Sequence, residues 1–337
     1  MGTYLATSRR AWGASSTRRT RAYTPDDIAT QIFSLDPLTV GDIEAAERAV
    51  SAVDRSIEST PDSSASANLL LYNESVASTR LLGAPAVLEL LVQTELDAGS
   101  EGRKRSNRLA AVVQTMKATQ RCLGIDGELT VEALLEIHAI LFEGSADATY
   151  AGRLRRQSRR CAGNGTGVGF VPTPGEHVRR MLEDACAFAN RTDLPPVLQA
   201  AIVYAQIRTI RPFLDGNARM SRILAQMVLR ARGLTTKTIV PISLALAADA
   251  PRYEAALDEY RFEGSYASPA NAARVHGWIS TFALLIRTVA TRITDLIEAD
   301  MLVEIAIDDA SHRSDGRVAS DRHASIYARE LALTGRR

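Results

Sequence analysis

Apolar residues return at every third or fourth position in one segment after another of this chain, and one stretch alone breaks the rhythm. That period is the signature of amphipathic helices, so it confines the chain to folds in which helices bury one another. Residues 37–57 keep the spacing until Pro61 and a serine cluster stop it. The run SANLLLYNESVASTRLLG predicts a second helix ended by Gly83, with Pro85 beyond it. Residues 88–93 and 107–123 predict two more amphipathic segments, with a loop around Gly99 to Arg105 between them. In ELTVEALLEIHAILFEG, Thr130 is placed as the N-cap, and Leu134, Leu135, His138 and Leu141 share a face. After His177 the pattern resumes in VRRMLEDACAFAN and in PPVLQAAIVYAQIRTI, which Pro195 and Pro196 open. RMSRILAQMVLRARG, ended by Gly233, and apolar patterns over 253–260 and 278–297 complete the ordered part. The break is residues 152–176, with six glycines and no helical period, which reads as a hairpin or long loop. The fold class this predicts is all-α with a small β-hairpin.

At 337 residues, 46% hydrophobic and 5% aromatic, the chain can bury one large core, or a core and a smaller helical annex. Forty basic residues against 39 acidic ones give no global charge bias toward nucleic acid or membrane. Basic charge is local instead: Arg9, Arg10, Arg18, Arg19 and Arg21 stand among small polar residues with no acid before Asp26. Residues 1–24 therefore read as a disordered basic tail, the alternative being a nucleic-acid-binding arm. The last 30 residues are polar and are expected to fray. Arg9 and Arg10 precede no apolar run of signal-peptide length, and no segment is apolar enough to span a bilayer. The expected compartment is cytoplasmic, with no membrane partner. Cys122, Cys161 and Cys186 are too scattered for a disulfide framework or a zinc knuckle.

The stretch with chemical content is IRPFLDGNARMSR, residues 210–222. A chain that leaves one helix, turns through Asp215, Gly216, Asn217 and Ala218 and enters the next presents backbone N–H groups with no intrahelical partner. The positive end of the incoming helix adds to them, and phosphate suits such a seat. Asp215 can hold a Mg²⁺ ion that bridges phosphates. Arg219 and Arg222, three residues apart on one helical face, can take outer phosphates in bidentate fashion. The plain alternative is a helical corner with solvated arginines.

Pro212, Phe213, Asp215, Gly216, Asn217, Arg219 and Arg222 stand in the order of the Fic (Fido) family signature, His-Pro-Phe-x-Asp-Gly-Asn-Gly-Arg-x-x-Arg. The resemblance extends to AAIVYAQIRTI, SRILAQMVLRARGL, APRYEAALDEY, LEIHAILFEG and the glycine-rich segment ending GFVPTP, and covers about residues 68 to 285. It implies a compact Fic-type helical domain that transfers AMP from ATP to a hydroxyl of a target protein. The motif loop would cradle the phosphates, with Gly216, Asn217, Ala218, Arg219 and Arg222 as the nucleotide-binding set and Asp215 as the Mg²⁺ ligand. A flap at about 157–172, with Gly167, Val168, Gly169 and Phe170 near its end, would dock the target as an added strand.

Three departures bear on activity. Arg211 occupies the position of the family's general-base histidine, and a guanidinium has neither a suitable pKa nor a lone pair to accept a proton. Such a base is worth about 10² to 10⁴ in rate. Ala218 replaces a glycine and narrows the backbone choices beside the phosphates. The stretch Ser78 to Gly83 resembles the family's inhibitory motif, but Leu82 stands where a glutamate would clamp the second arginine, which leaves Arg222 free for a phosphate. His138 is expected as a core histidine, and His177 is the weak candidate for a substitute base. The implied domain order is a tail over 1–24, a helical region over 25–127 with the degenerate inhibitory helix at about 68–83, a Fic core over 128–285, and a C-terminal helix and tail over 286–337. The functional reading is an ATP–Mg²⁺-binding protein with lost or much reduced AMP transfer. The alternatives are an active adenylyltransferase or an altered group transfer, with nucleotide and a docked target protein as partners.

Overall fold

The computed structural model describes residues 1–10, 17–81, 100–125, 127–144, 148–156, 170–236 and 238–298. Two strands open the chain, β1 (Gly2–Arg10) and β2 (Thr17–Pro25). Among the described residues ten α-helices follow: α1 (Pro37–Glu58), α2 (Ser63–Arg80), α3 (Ser100–Leu123), α4 (Val131–Leu141), α5 (Val178–Ala189), α6 (Pro196–Ile210), α7 (Asn217–Ala231), α8 (Ile242–Ala248), α9 (Ala250–Glu259) and α10 (Pro269–Glu298). The expected all-α class with a small hairpin is the observed one.

Helix α6 is the centre: every residue from Val197 to Ile210 is buried. A helix covered on all sides can carry polar side chains only where partners await them. Gln199 reaches the carbonyls of Phe188, Ala189 and Arg191 at 2.7, 3.0 and 2.9 Å and so closes the C-terminal end of α5. Gln206 donates to the Asp26 carbonyl at 3.0 Å. Helix α10 lies along α1 and also meets α6, where Trp278 donates its indole N–H to the Ala201 carbonyl (2.9 Å) and stacks on Tyr204. Helix α7 packs on the other flank of α6, with α3 behind it; α2 packs against α3 and α8. Thr130 caps α4, its side-chain oxygen accepting from the Ala133 N–H as the sequence predicts.

Three expectations change. Residues 1–24 are not a disordered tail where described: β1 and β2 pair antiparallel, from Gly2 opposite Pro25 to Arg10 opposite Thr17. The physical reason is a buried anchor that composition hides. Tyr23 is 1% exposed, donates its hydroxyl to the Phe262 carbonyl (2.8 Å), and donates its N–H to the Val171 carbonyl (2.8 Å). The sheet of the described structure is thus this N-terminal hairpin, whereas the expected flap falls mostly on 157–169, outside the described residues together with Gly167, Val168 and Gly169. Second, α3 begins at Ser100, so the loop expected around 99–105 is helical from its second residue. Third, α10 runs unbroken from Pro269 to Glu298, across the position expected to separate the core from a C-terminal helix. Leu82, Gly83, the segment 88–93 and the tail from 299 also lie outside the described residues.

Candidate active-site loop

The loop between α6 and α7 is built on a histidine and a phenylalanine. His138 of α4 is 1% exposed and stacks flat on Phe213, with ring centroids 3.7 Å apart and planes 8° apart. Its Nδ1 accepts the Gly152 N–H at 3.0 Å, which leaves Nε2 protonated to donate to the Asp215 carbonyl at 3.1 Å. Burial pushes this imidazole down to about 4, with the Asp215 carbonyl acting in the opposite sense. Both nitrogens are committed and the ring is neutral, so His138 holds the loop and is not a substitute base. Asn217 staples the turn from the other side: it accepts from Phe213 N (2.9 Å) and donates to Phe213 O (2.8 Å). Gly216 sits at φ 77°, and a Cβ there would lie 2.9 Å from the Phe142 ring and 3.2 Å from His138 Nε2. Only glycine meets both conditions.

The turn delivers an anion seat. The first helical hydrogen bond of α7 runs from Met220 N to Gly216 O, so the N–H groups of Asn217, Ala218 and Arg219 precede it and point out of the helix end. Arg219 is 6% exposed, lies 4.9 Å above the Phe142 ring, and has a buried Nε with no partner. Burial lowers its pKa; Asp215 opposes that shift and Arg222 adds to it. Asp215 is exposed and accepts the Gly216 N–H on Oδ1 at 2.7 Å, which leaves its second oxygen toward solvent. One carboxylate beside a phosphate seat is the donor set that Mg²⁺ accepts, since that ion takes most of its ligands from water and phosphate oxygens. Among the described residues no group of three or more His, Cys, Asp or Glu could hold a metal by itself.

Arg222 differs from its expected state. It is 1% exposed and donates through Nε and Nη2 to the Ser78 hydroxyl (3.2 and 2.8 Å) and through Nη2 to the Ser78 carbonyl (3.1 Å). The guanidinium is therefore engaged by α2 rather than left free for a phosphate. One turn earlier on α2, Glu74 is buried and accepts from the N–H and hydroxyl of Ser243 at 2.7 and 2.6 Å; burial raises its pKa, while the Ser243 hydroxyl and Arg222 pull it back. Glu74 is thus an acid whose titration Arg222 influences.

Arg211 ends α6 with its N–H on the Ile207 carbonyl (3.0 Å) and φ 49°. It is the one non-glycine residue with positive φ among the described residues. The turn is held by Arg155, which sequence reasoning missed because it stands in the aperiodic stretch, where no pattern marks a buried side chain. Arg155 donates to the carbonyls of Arg211, Ile210 and Thr173 at 2.5, 2.9 and 2.5 Å, and its N–H bonds the Pro212 carbonyl at 2.9 Å. These bonds satisfy carbonyls that a helix end leaves open. The Arg211 guanidinium lies 5.6 Å from the Phe170 ring centroid, the described end of the expected flap. His177 ends a short 3₁₀ turn outside the loop.

A family model described as the Fic/DOC family matches residues 128–229. Protein adenylyltransferase fic-1 of Caenorhabditis elegans is 29% identical over 119 residues, which are 34% of this chain and 22% of that protein. Protein adenylyltransferase Fic of Drosophila willistoni is 27% identical over 145 residues, 42% of this chain and 28% of that protein. The similarity therefore spans less than a third of either relative's length. Among solved structures, a Fic family protein from Desulfovibrio desulfuricans G20 superposes with a TM-score of 0.60 at 17% identity, over 85% of this chain and 79% of that one. A Fic-1 fragment from C. elegans gives 0.53 at 19% identity, over 77% and 74%. At these identities the structures speak for the fold, and the family match locates it: the chain carries a Fic/DOC family domain over residues 128–229.

Proposed function

We propose that this chain seats ATP–Mg²⁺ on the loop from Asp215 to Arg219, and that AMP transfer to a protein hydroxyl is lost or much reduced. The observation that carries the first half is the orphaned Nε of buried Arg219 beside three outward N–H groups, an arrangement that lacks an acceptor. The N–H groups of 217–219 would take phosphate oxygens, Arg219 would neutralise them, and Asp215 would hold the metal. Held by Asp215, Mg²⁺ would offset the phosphate charge. Asn217, His138 and Phe213 keep the loop in shape and touch no phosphate in this scheme. Arg222 is held by Ser78, so it stabilises the seat from behind unless it leaves that partner. The second half rests on position 211: a guanidinium cannot remove a proton from a target hydroxyl, and His138, the ring beside the loop, is neutral with both nitrogens engaged.

A second reading, an active protein adenylyltransferase, is favoured by the names of the curated relatives. A target protein would then dock beside Phe170. Calorimetry separates the first claim from the bare fold. ATP with Mg²⁺ binds the wild-type chain saturably, and Arg219→Ala weakens binding by about 1.5 to 3 kcal/mol for each charge-assisted hydrogen bond removed. Absence of ATP binding by the folded wild type would remove the reading.

A further inference from the structure

Three guanidiniums meet at the junction of α6 and the end of α9 with too few acceptors to satisfy them. Arg208, on the last turn of α6, is 6% exposed; it makes a long hydrogen bond to Tyr253 Oη at 3.4 Å, and its buried Nε has no partner. Arg211 follows, partly exposed, with its own buried Nε unpartnered. Arg261, just past α9, has a side chain 9% exposed; it donates to Thr209 Oγ1 at 3.3 Å and pairs with Asp258 at 2.5 Å. Phe170 links two of them, its ring centroid 4.5 Å from Arg261 Cζ and 5.6 Å from Arg211 Cζ, both within cation–π range. The buried hydroxyl of Tyr260, beside Arg261, also lacks a partner.

The charges are close enough to act on one another. Burial first, and then Arg208, lower the Arg261 guanidinium to about 10, with Arg211 adding to the effect and Asp258 opposing it. Asp258, which pairs with Arg261, is half exposed. Burial opposes the charge on Arg208, but Tyr253 and Tyr204, with Glu254 as a smaller influence, raise its pKa on balance. Burying like charges with a single direct ion pair, Arg261 to Asp258, is costly, and unpaired guanidinium N–H groups add to that cost. A doubly charged oxyanion removes both penalties, since its oxygens match the forked donors of arginine.

We propose that Arg211 and Arg261, which share the Phe170 ring, together with Arg208 one turn before Arg211 on α6, form a binding site for a phosphoryl group. The residue at the family's histidine position is then a ligand of this site, and the replacement of base by guanidinium gains a positive role. Arg208 and Arg261 lie outside the motif, so the site stands apart from the reading of the loop 215–219. The phosphoryl group is either the nucleotide's own or that of a separate small molecule entering at Phe170, where Arg211 and Arg261 reach solvent.

Calorimetric titration of the full chain with inorganic phosphate, and separately with ATP and Mg²⁺, tests this. Phosphate binds the wild type saturably, and Arg261→Met weakens it by roughly ten- to a hundredfold, as the removal of one or two charge-assisted hydrogen bonds would. Arg261→Lys keeps the charge but not the fork and falls between the two. Arg211→Gln, at a partly exposed position, weakens binding to the same degree and keeps the proposal falsifiable should the Arg261 variants not fold. Arg219→Met weakens ATP and any phosphate held at the loop, but keeps the phosphate binding that Arg261→Met and Arg211→Gln weaken. If the phosphoryl group is the nucleotide's, phosphate competes with ATP and Arg261→Met weakens both. If it belongs to a separate ligand, phosphate binds with ATP already present. No saturable phosphate binding to the folded wild type, or wild-type binding by both Arg261→Met and Arg211→Gln, overturns the proposal. Failure of ATP alone to bind would overturn the loop reading and leave this site standing.

Discussion

Neither His138 nor Arg211 can act as the base that the resemblance to the Fic signature implies. His138 supplies an imidazole but spends both nitrogens on backbone groups, and Arg211 supplies a cation where a base is required. The cost of keeping His138 neutral emerges as pH dependence. An unfolded histidine titrates near 6.5 and the folded one at about 4, so the unfolded state binds the extra proton across that window. Stability is complete above about 6.5 and falls as pH drops toward 4, by up to about 3 kcal/mol. Urea unfolding at pH 7 and pH 5 checks this: the wild type loses stability on acidification, and His138→Gln, less stable at pH 7, loses less. Of the residue-level reading, His138 as a core histidine was legible from its place on an apolar face. The engagement of Arg222 by Ser78 was not, because the resemblance pointed to position 82 and a hydroxyl carries no pattern in sequence.

At the scale of elements, the corner from α6 to α7 depends on one glycine and one interhelical contact. Gly216→Ala forces a methyl into Phe142 and His138 at a left-handed backbone, and is expected to cost about 1 to 3 kcal/mol, read as a lower thermal midpoint. Ser78→Ala removes two hydrogen bonds from a buried guanidinium and is expected to cost about 1 to 3 kcal/mol in denaturant unfolding, with the helical circular dichroism of the native state retained. An unchanged midpoint in Ser78→Ala would mean that Arg222 finds another partner. Most helices were legible because the 3.6-residue period survives in α1, α4, α5 and α7, and Thr130 marks its cap by type and position, whereas the short α8 had no reading in the sequence. The N-terminal hairpin was not legible: its strands alternate too weakly among arginines and threonines, and its anchor, Tyr23, is defined by partners at 171 and 262. Tertiary contacts of that range leave no local signature.

Across the whole molecule, the proposed anion seat lies at the start of α7 and the proposed arginine site at the end of α6, with no free base between them among the described residues. No helix among those residues is long and apolar enough to cross a membrane. The central claim is that the scaffold for nucleotide is intact while proton abstraction is missing. Transfer of label from α-labelled ATP to protein, run with wild type and with Arg211→His plus Ala218→Gly, tests it most directly. Imidazole restores a base with a pKa near neutrality at the position the signature assigns to it. The account predicts no labelling above background by the wild type, and labelling by the double variant that exceeds it by about 10² or more. Wild-type labelling equal to that of the double variant would contradict the account.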